Sequence, residues 1–171
     1  MHPRQSAAPL FAENACLAPG AARAHCARVP ALLPFTQPWA DAFRDAINDD
    51  ADYRAAAAGW TWPLALVLEP VPALGYPDGA AVRLELDRGR CDRATATAPA
   101  SAAAAPYVLR GDYGAWKAIV RGELDPVTAV MTRRLSLAAG SLTTLMLHAR
   151  SAKALVACAR RVDTTFPDEE R

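Results

Sequence analysis

From Val82 to Asp87 apolar and charged side chains alternate without a break: Val82, Leu84 and Leu86 against Arg83, Glu85 and Asp87. A period of two puts each kind on its own face of an extended strand, and the charged face must meet water. Such a strand belongs in antiparallel sheet with one face packed and one solvated. Asp87-Arg-Gly-Arg90 follows, and Gly89 suits the positive φ of a tight hairpin. The Thr- and Ala-rich segment 91–98 is therefore its partner. A sheet apolar on one face cannot stand alone, so the rest of the chain must supply a cover.

That cover reads as helices. Thr36 or Gln37 can cap a helix with Pro38 in its first turn, where a missing N–H costs nothing. Trp39, Phe43 and Ile47 then recur every fourth residue on one face, opposite Asp41, Arg44, Asp45 and Asn48. A second helical piece spans 50–58 and stops at Gly59. Segment 64–69 reads as a strand with Leu64, Leu66 and Leu68 on one side, and 107–109 as another. Asp112 caps a helix whose inner face is Trp116, Ile119 and Val120, ended by Gly122. Asp125-Pro126 opens the next, with Val127, Val130 and Met131 at helical spacing. After a short strand at 135–137, Gly140-Ser141 leads into what reads as the longest helix. Leu142, Leu145, Met146, Ala149, Ala152 and Val156 stripe it, and Arg160 and Arg161 sit at its negative end. The pattern predicts an α+β domain: one mostly antiparallel five-stranded sheet with helices packed on one face.

Residues 1–33 carry no sustained period and read as an Ala/Pro-rich, loosely attached arm, with a short helix near 12–26 interrupted at Pro19-Gly20. The folded domain is expected over 34–166, followed by an acidic tail at 167–171. With 19 basic and 18 acidic residues the chain has no long-range field to gather nucleic acid or an anionic membrane. No apolar run approaches a membrane span, and the N-terminus lacks the apolar stretch of a signal peptide. The expectation is a cytoplasmic protein without stable membrane insertion, its four cysteines free thiols.

The stretch Tyr107-Val-Leu-Arg-Gly-Asp-Tyr-Gly-Ala-Trp-Lys-Ala-Ile-Val-Arg-Gly-Glu-Leu-Asp-Pro126 continues through Ala129-Val-Met131, Leu135-Ser-Leu137 and Gly140-Ser-Leu142. In this order and spacing it resembles the C-terminal half of the sterol carrier protein 2 family, as a bacterial-type single-domain member, and the likeness extends over about 35–166. It departs from the familiar eukaryotic members in two places. The chain ends Pro167-Asp-Glu-Glu-Arg171 without a peroxisomal address, and Arg133-Arg134 stands where many members have a glycine–lysine pair. The resemblance implies a hydrophobic tunnel between sheet and helices for a lipid tail, a sterol or a fatty acyl chain. It also brings in lipid-handling accessory roles, such as those in isoprenoid quinone synthesis.

The apolar stock for such a lining is Trp116, Ile119, Val120, Val127, Val130, Met131, Leu135, Leu137, Leu142, Leu145 and Met146. Each of these equally suits plain core packing. Met131 and Met146 stand out, because a flexible thioether fits irregular fillings. Arg133 and Arg134 are the candidates for a charged head group. Trp39, Trp60 and Trp62 read as an aromatic cap on the core, or as a gate over one end of the tunnel. Cys16, His25 and Cys26 match no tetrahedral zinc spacing, so no metal is expected. His148 reads as an ordinary surface histidine. Ser136 and Ser141 have no nucleophile elbow, and no phosphate loop exists, so neither catalysis nor a cofactor is expected. The expected partner is a hydrophobic small molecule, with a partner enzyme or a homodimer open. Two alternatives stand beside the carrier: a non-catalytic subunit of an enzyme of lipid metabolism with a filled core, and a small enzyme acting on a lipid-like substrate.

Overall fold

A computed structural model describes residues 31–169. The expected helix near 12–26 and most of the arm lie outside them, as do Cys16, His25 and Cys26. Elements follow in the order α1 (Gln37–Asn48), α2 (Ala51–Ala56), β1 (Leu64–Leu68), β2 (Ala80–Asp87), β3 (Arg90–Thr97), α3 (Pro99–Ala102), β4 (Tyr107–Gly111), α4 (Tyr113–Arg121), α5 (Pro126–Met131), β5 (Leu135–Ala139), α6 (Leu142–Leu147) and α7 (Ala149–Arg160). A single 3₁₀ turn, Pro72–Leu74, lies between β1 and β2.

The five strands form one sheet in the order β3-β2-β1-β4-β5. Its pairs are antiparallel except β1 with β4, where Leu64 lies beside Tyr107 and Leu68 beside Gly111 in parallel register. The β2–β3 hairpin turns through Arg88 and Gly89, both at positive φ. Gly89 is required twice over. Its φ is +81°, and a Cβ there would lie 2.5 Å from the Arg54 carbonyl oxygen at the end of α2.

Helix caps are as the residue types demand. Thr36 accepts from the Trp39 N–H, Asp50 from Tyr53, Asp112 from Ala115, and Asp125 from Val127 and Thr128. Trp39, Phe43 and Ile47 bury the inner face of α1, and Gln37 and Asn48 tie its two ends to β3 by side-chain hydrogen bonds. The main core joins these helices to Leu64, Leu66, Leu68, Val82, Leu84 and Leu86 on one face of the sheet. All five residues of β1 are buried, because the reverse face is covered too. There Ala65, Val67, Ala81 and Val108 pack against Ala102 and Ala105 of the short α3 region, a stretch whose alanines signal no element of their own.

The long final helix expected after Gly140 is two helices. His148 sits between them at φ −101° and ψ 24°, its N–H shared between the Thr144 and Leu145 carbonyls. After the break the buried positions of α7 are Ser151, Leu155, Cys158 and Ala159, with Ala152 and Val156 of the expected stripe half-buried beside them on the cavity. Leu32 bridges Thr164, and Asp168 and Glu169 pair with Lys117, so both ends of the described chain rest on the domain. No helix among the described residues is long and apolar enough to cross a membrane.

Candidate functional site

An apolar cavity of about 70 Å³ lies between the helix-covered face of the sheet and the helices above it. The floor comes from strands: Leu64 and Leu66 of β1, Leu86 of β2, Leu109 of β4 and Leu135 of β5. Their alternation places these leucines on the covered face. The roof comes from Trp39 and Phe43 of α1, Tyr53 of α2, Trp116, Ile119 and Val120 of α4, Leu145 of α6, and Leu155 of α7.

Aromatic rings gather toward the two ends of β1. At the Val67 end, the Trp116 indole donates to the Val67 carbonyl at 2.9 Å, and Phe35 lies 5.8 Å from Trp116 and 6.0 Å from Trp39. At the Leu64 end, Trp60 meets Trp62, Tyr107 and His148 at 5.3, 4.8 and 5.3 Å. The three tryptophans expected to cluster are thus divided, with Trp39 in the first group and Trp60 and Trp62 in the second. Gly140 keeps the second group compact, since at φ +108° it packs where a Cβ would strike the Tyr107 ring.

The wall is almost wholly apolar because its polar atoms are spent elsewhere. Trp39 donates to the Thr164 hydroxyl at 2.9 Å and Trp60 to the Trp62 carbonyl at 2.6 Å. Ser151 donates to the Ala56 carbonyl at 2.7 Å. The half-buried His148 ring makes no hydrogen bond among the described residues, whereas no fully buried side-chain polar atom lacks one. Burial pushes the Tyr53 phenol well above its ordinary range, and pushes the thiols of Cys91 and Cys158 up to about 12 and about 11. Both cysteines are free and buried, and at neutral pH they are protonated and poor nucleophiles. Among the described residues no three metal-ligating side chains come together.

Of the residues anticipated for the lining, the structure brings Trp116, Ile119, Val120, Leu135 and Leu145 to the cavity. Val130, Leu137 and Met146 pack against the core behind it, and Val127 is half-buried outside it. Met131 and Leu142 point to solvent, 65% and 47% exposed. Arg133 and Arg134 are exposed on the turn before β5, where Arg133 adopts positive φ. Tyr53, Leu86 and His148 line the cavity as well, without having been expected there, and Trp60 joins them from the aromatic group. The alternation of 82–86 marks Leu86 as inward-facing, but nothing local marks His148, which only the fold carries against two indoles.

No protein-family profile matches the chain, and no curated protein matches it. Solved structures do. The chain is 37% identical to a sterol carrier protein 2 known from a crystal structure, at a TM-score of 0.72, over 75% of this chain and 98% of that one. It is also 37% identical, at a TM-score of 0.72, to a conserved hypothetical protein of Thermus thermophilus suggested to be a sterol carrier protein, over 77% of this chain and 90% of that one. The fold described above is shared along nearly the whole of those chains, and this chain belongs to the sterol carrier protein 2 family.

Proposed function

We propose that the protein binds a hydrophobic small molecule between sheet and helices and shields or transfers it without chemical change. The observation that supports this most directly is the cavity wall, apolar on its strand and helix sides alike, with its indole and serine donors already satisfied. An apolar tail moved there from water gains ~25 cal/mol per Å² buried, so about 200 Å² of tail is worth roughly 5 kcal/mol. Binding without chemistry is supported by the Ser151 hydroxyl on the wall, which is committed to the Ala56 carbonyl.

At 70 Å³ the cavity is far below the ~300–1,000 Å³ typical of ligand pockets. A lipid tail therefore enters only if the wall yields. Leu145 and its short helix α6 are suited to this, since α6 is only six residues long with Leu142 and Leu147 already facing solvent. The same small volume favours the second reading, a non-catalytic accessory subunit whose core is filled.

Native mass spectrometry of freshly purified full-length protein, followed by extraction of bound lipid, separates the two. A co-purifying acyl chain, sterol-like molecule or quinone near unit stoichiometry supports the carrier. Empty protein that also fails to bind the uncharged apolar dye N-phenyl-1-naphthylamine supports the subunit reading. Arg133 and Arg134 are kept as one proposed contact for a charged head group.

A further inference from the structure

The geometry points to His148 as the head-group contact of the bound molecule, which makes the preferred ligand a single-tailed amphiphile ending in one hydrogen-bonding group, a carboxyl or a hydroxyl. This rests on the carrier reading and adds an orientation to it: head at the α6–α7 junction, tail toward Trp39 and Phe43.

Three observations carry the placement. His148 lines the cavity, and its two ring nitrogens make no hydrogen bond among the described residues, whereas the three wall indoles and Ser151 all do. Its ring is held edge-on to Trp60 at 5.3 Å and to Trp62 at 6.1 Å, with Gly59 closing on its Cε1. A side chain fixed by packing and free in its polar atoms is preorganised to meet a ligand's polar end. His148 is also only half-buried, so a head group bonded to it can keep part of its water.

The other polar candidates suit a head group less well. Tyr53 is 1% exposed and lies beside the two buried thiols, where a solvated head would lose all its hydration. Arg133 and Arg134 precede β5 at the end of the sheet where Leu135 lies beside Gly111 and Trp116 is bonded to Val67. The wall there offers no free polar atom among the described residues. Imidazole chemistry also matches both head types, because a neutral ring donates at one nitrogen and accepts at the other.

The test is displacement of N-phenyl-1-naphthylamine by lauric acid, dodecanol and dodecane, which share a tail and differ in the head. The parent protein is expected to prefer the acid or the alcohol over dodecane by about tenfold, the worth of one partly exposed hydrogen bond. His148→Phe keeps the ring packing and is expected to bring that preference within about twofold, read as the ratio of acid or alcohol to dodecane in the same variant so that any change in dye affinity cancels. His148→Gln restores part of it. Which of acid and alcohol wins in the parent identifies the head. A preference that survives His148→Phe, or one removed instead by Arg133→Ala with Arg134→Ala, overturns the assignment. A parent that binds the dye but shows no preference overturns it while the carrier stands; a parent that binds no dye overturns both.

Discussion

The imidazole of His148 meets the indole of Trp60 edge to face, with ring centroids 5.3 Å apart and planes at 85°. Through this contact the junction of α6 and α7 is fastened to the segment that leads into β1, at one end of the cavity. Trp60 is 4% exposed and donates to the Trp62 carbonyl at 2.6 Å, so it joins the cap both by area and by a hydrogen bond.

Trp60→Ala should accordingly cost about 3–5 kcal/mol, the usual penalty for removing a buried large aromatic side chain. Trp60→Phe keeps a ring against Tyr107 and His148 but strands the Trp62 carbonyl, and should cost only about 1–2 kcal/mol. Urea denaturation read by circular dichroism measures both. Equal losses for the two variants would show that the hydrogen bond, not the packing, holds this end.

Ala152 lines the cavity from α7. Ala152→Leu should fill the space, leaving stability unchanged or raising it by up to about 1 kcal/mol, as cavity-filling substitutions commonly do. Its affinity for N-phenyl-1-naphthylamine should fall at the same time. A variant that folds normally and binds the dye like the parent would place the binding site elsewhere.

At the β2–β3 turn, Gly89→Ala should destabilise through two separate effects. An alanine in the left-handed region costs about 1–2 kcal/mol. Its methyl would also overlap the Arg54 backbone, which cannot move without displacing the end of α2. The expected loss in the urea midpoint therefore exceeds that of Gly75→Ala, where φ is also positive but no atom lies within 4 Å. Similar losses at the two positions would mean that backbone strain alone decides.

What was legible in the sequence followed from local periodicity. Val82, Leu84 and Leu86 declared a half-buried strand because their neighbours are charged, and Trp39, Phe43 and Ile47 declared a helix face because four-residue spacing has few other uses. Trp116, Ile119 and Val120 reached the cavity for the same reason. The missed features depend on parts of the chain that are distant in sequence. His148 breaks a continuous helical pattern because Trp60 and Trp62 hold its ring. Tyr53 faces the cavity because α2 is pressed against α7, where Ser151 bonds Ala56. Met131 and Leu142 fit a helical stripe on paper, but α5 and α6 are each six residues long and turn those positions outward.

Cys91 and Cys158 should be inert in the folded protein, since burial raises their thiols to about 12 and about 11. In a Cys16→Ser, Cys26→Ser background, Ellman's reagent at pH 8 should release almost no colour until urea is added, and then two equivalents. Reaction of either thiol in the native state, at a rate independent of urea, would show that its own element opens locally, β3 for Cys91 or α7 for Cys158.

The C-terminal segment makes stability depend on acid pH with a definite sign. Lys117 Nζ donates to the Asp168 carboxylate at 2.5 Å and to Glu169 at 2.8 Å, Tyr113 donates to Asp168 at 2.5 Å, and Arg121 also pairs with Glu169. The Lys117 ammonium, and after it the Tyr113 hydroxyl, hold the Asp168 carboxyl below the usual range. A carboxyl so depressed stabilises the fold fully above its unfolded-state value of about 3.9, and that contribution disappears as pH falls through the lower folded-state value. The urea midpoint of the parent should therefore exceed that of Asp168→Asn at pH 6, and the gap should close as pH falls from 4 toward 2. Because these groups lie at the surface, salt should narrow the gap at pH 6 as well. A gap that stays constant across the acid range would show that Asp168 acts by packing or by a charge-independent hydrogen bond. In that case Phe166, seated beneath Lys117 and Arg121 at 5.3 and 5.5 Å, would be the anchor of this segment.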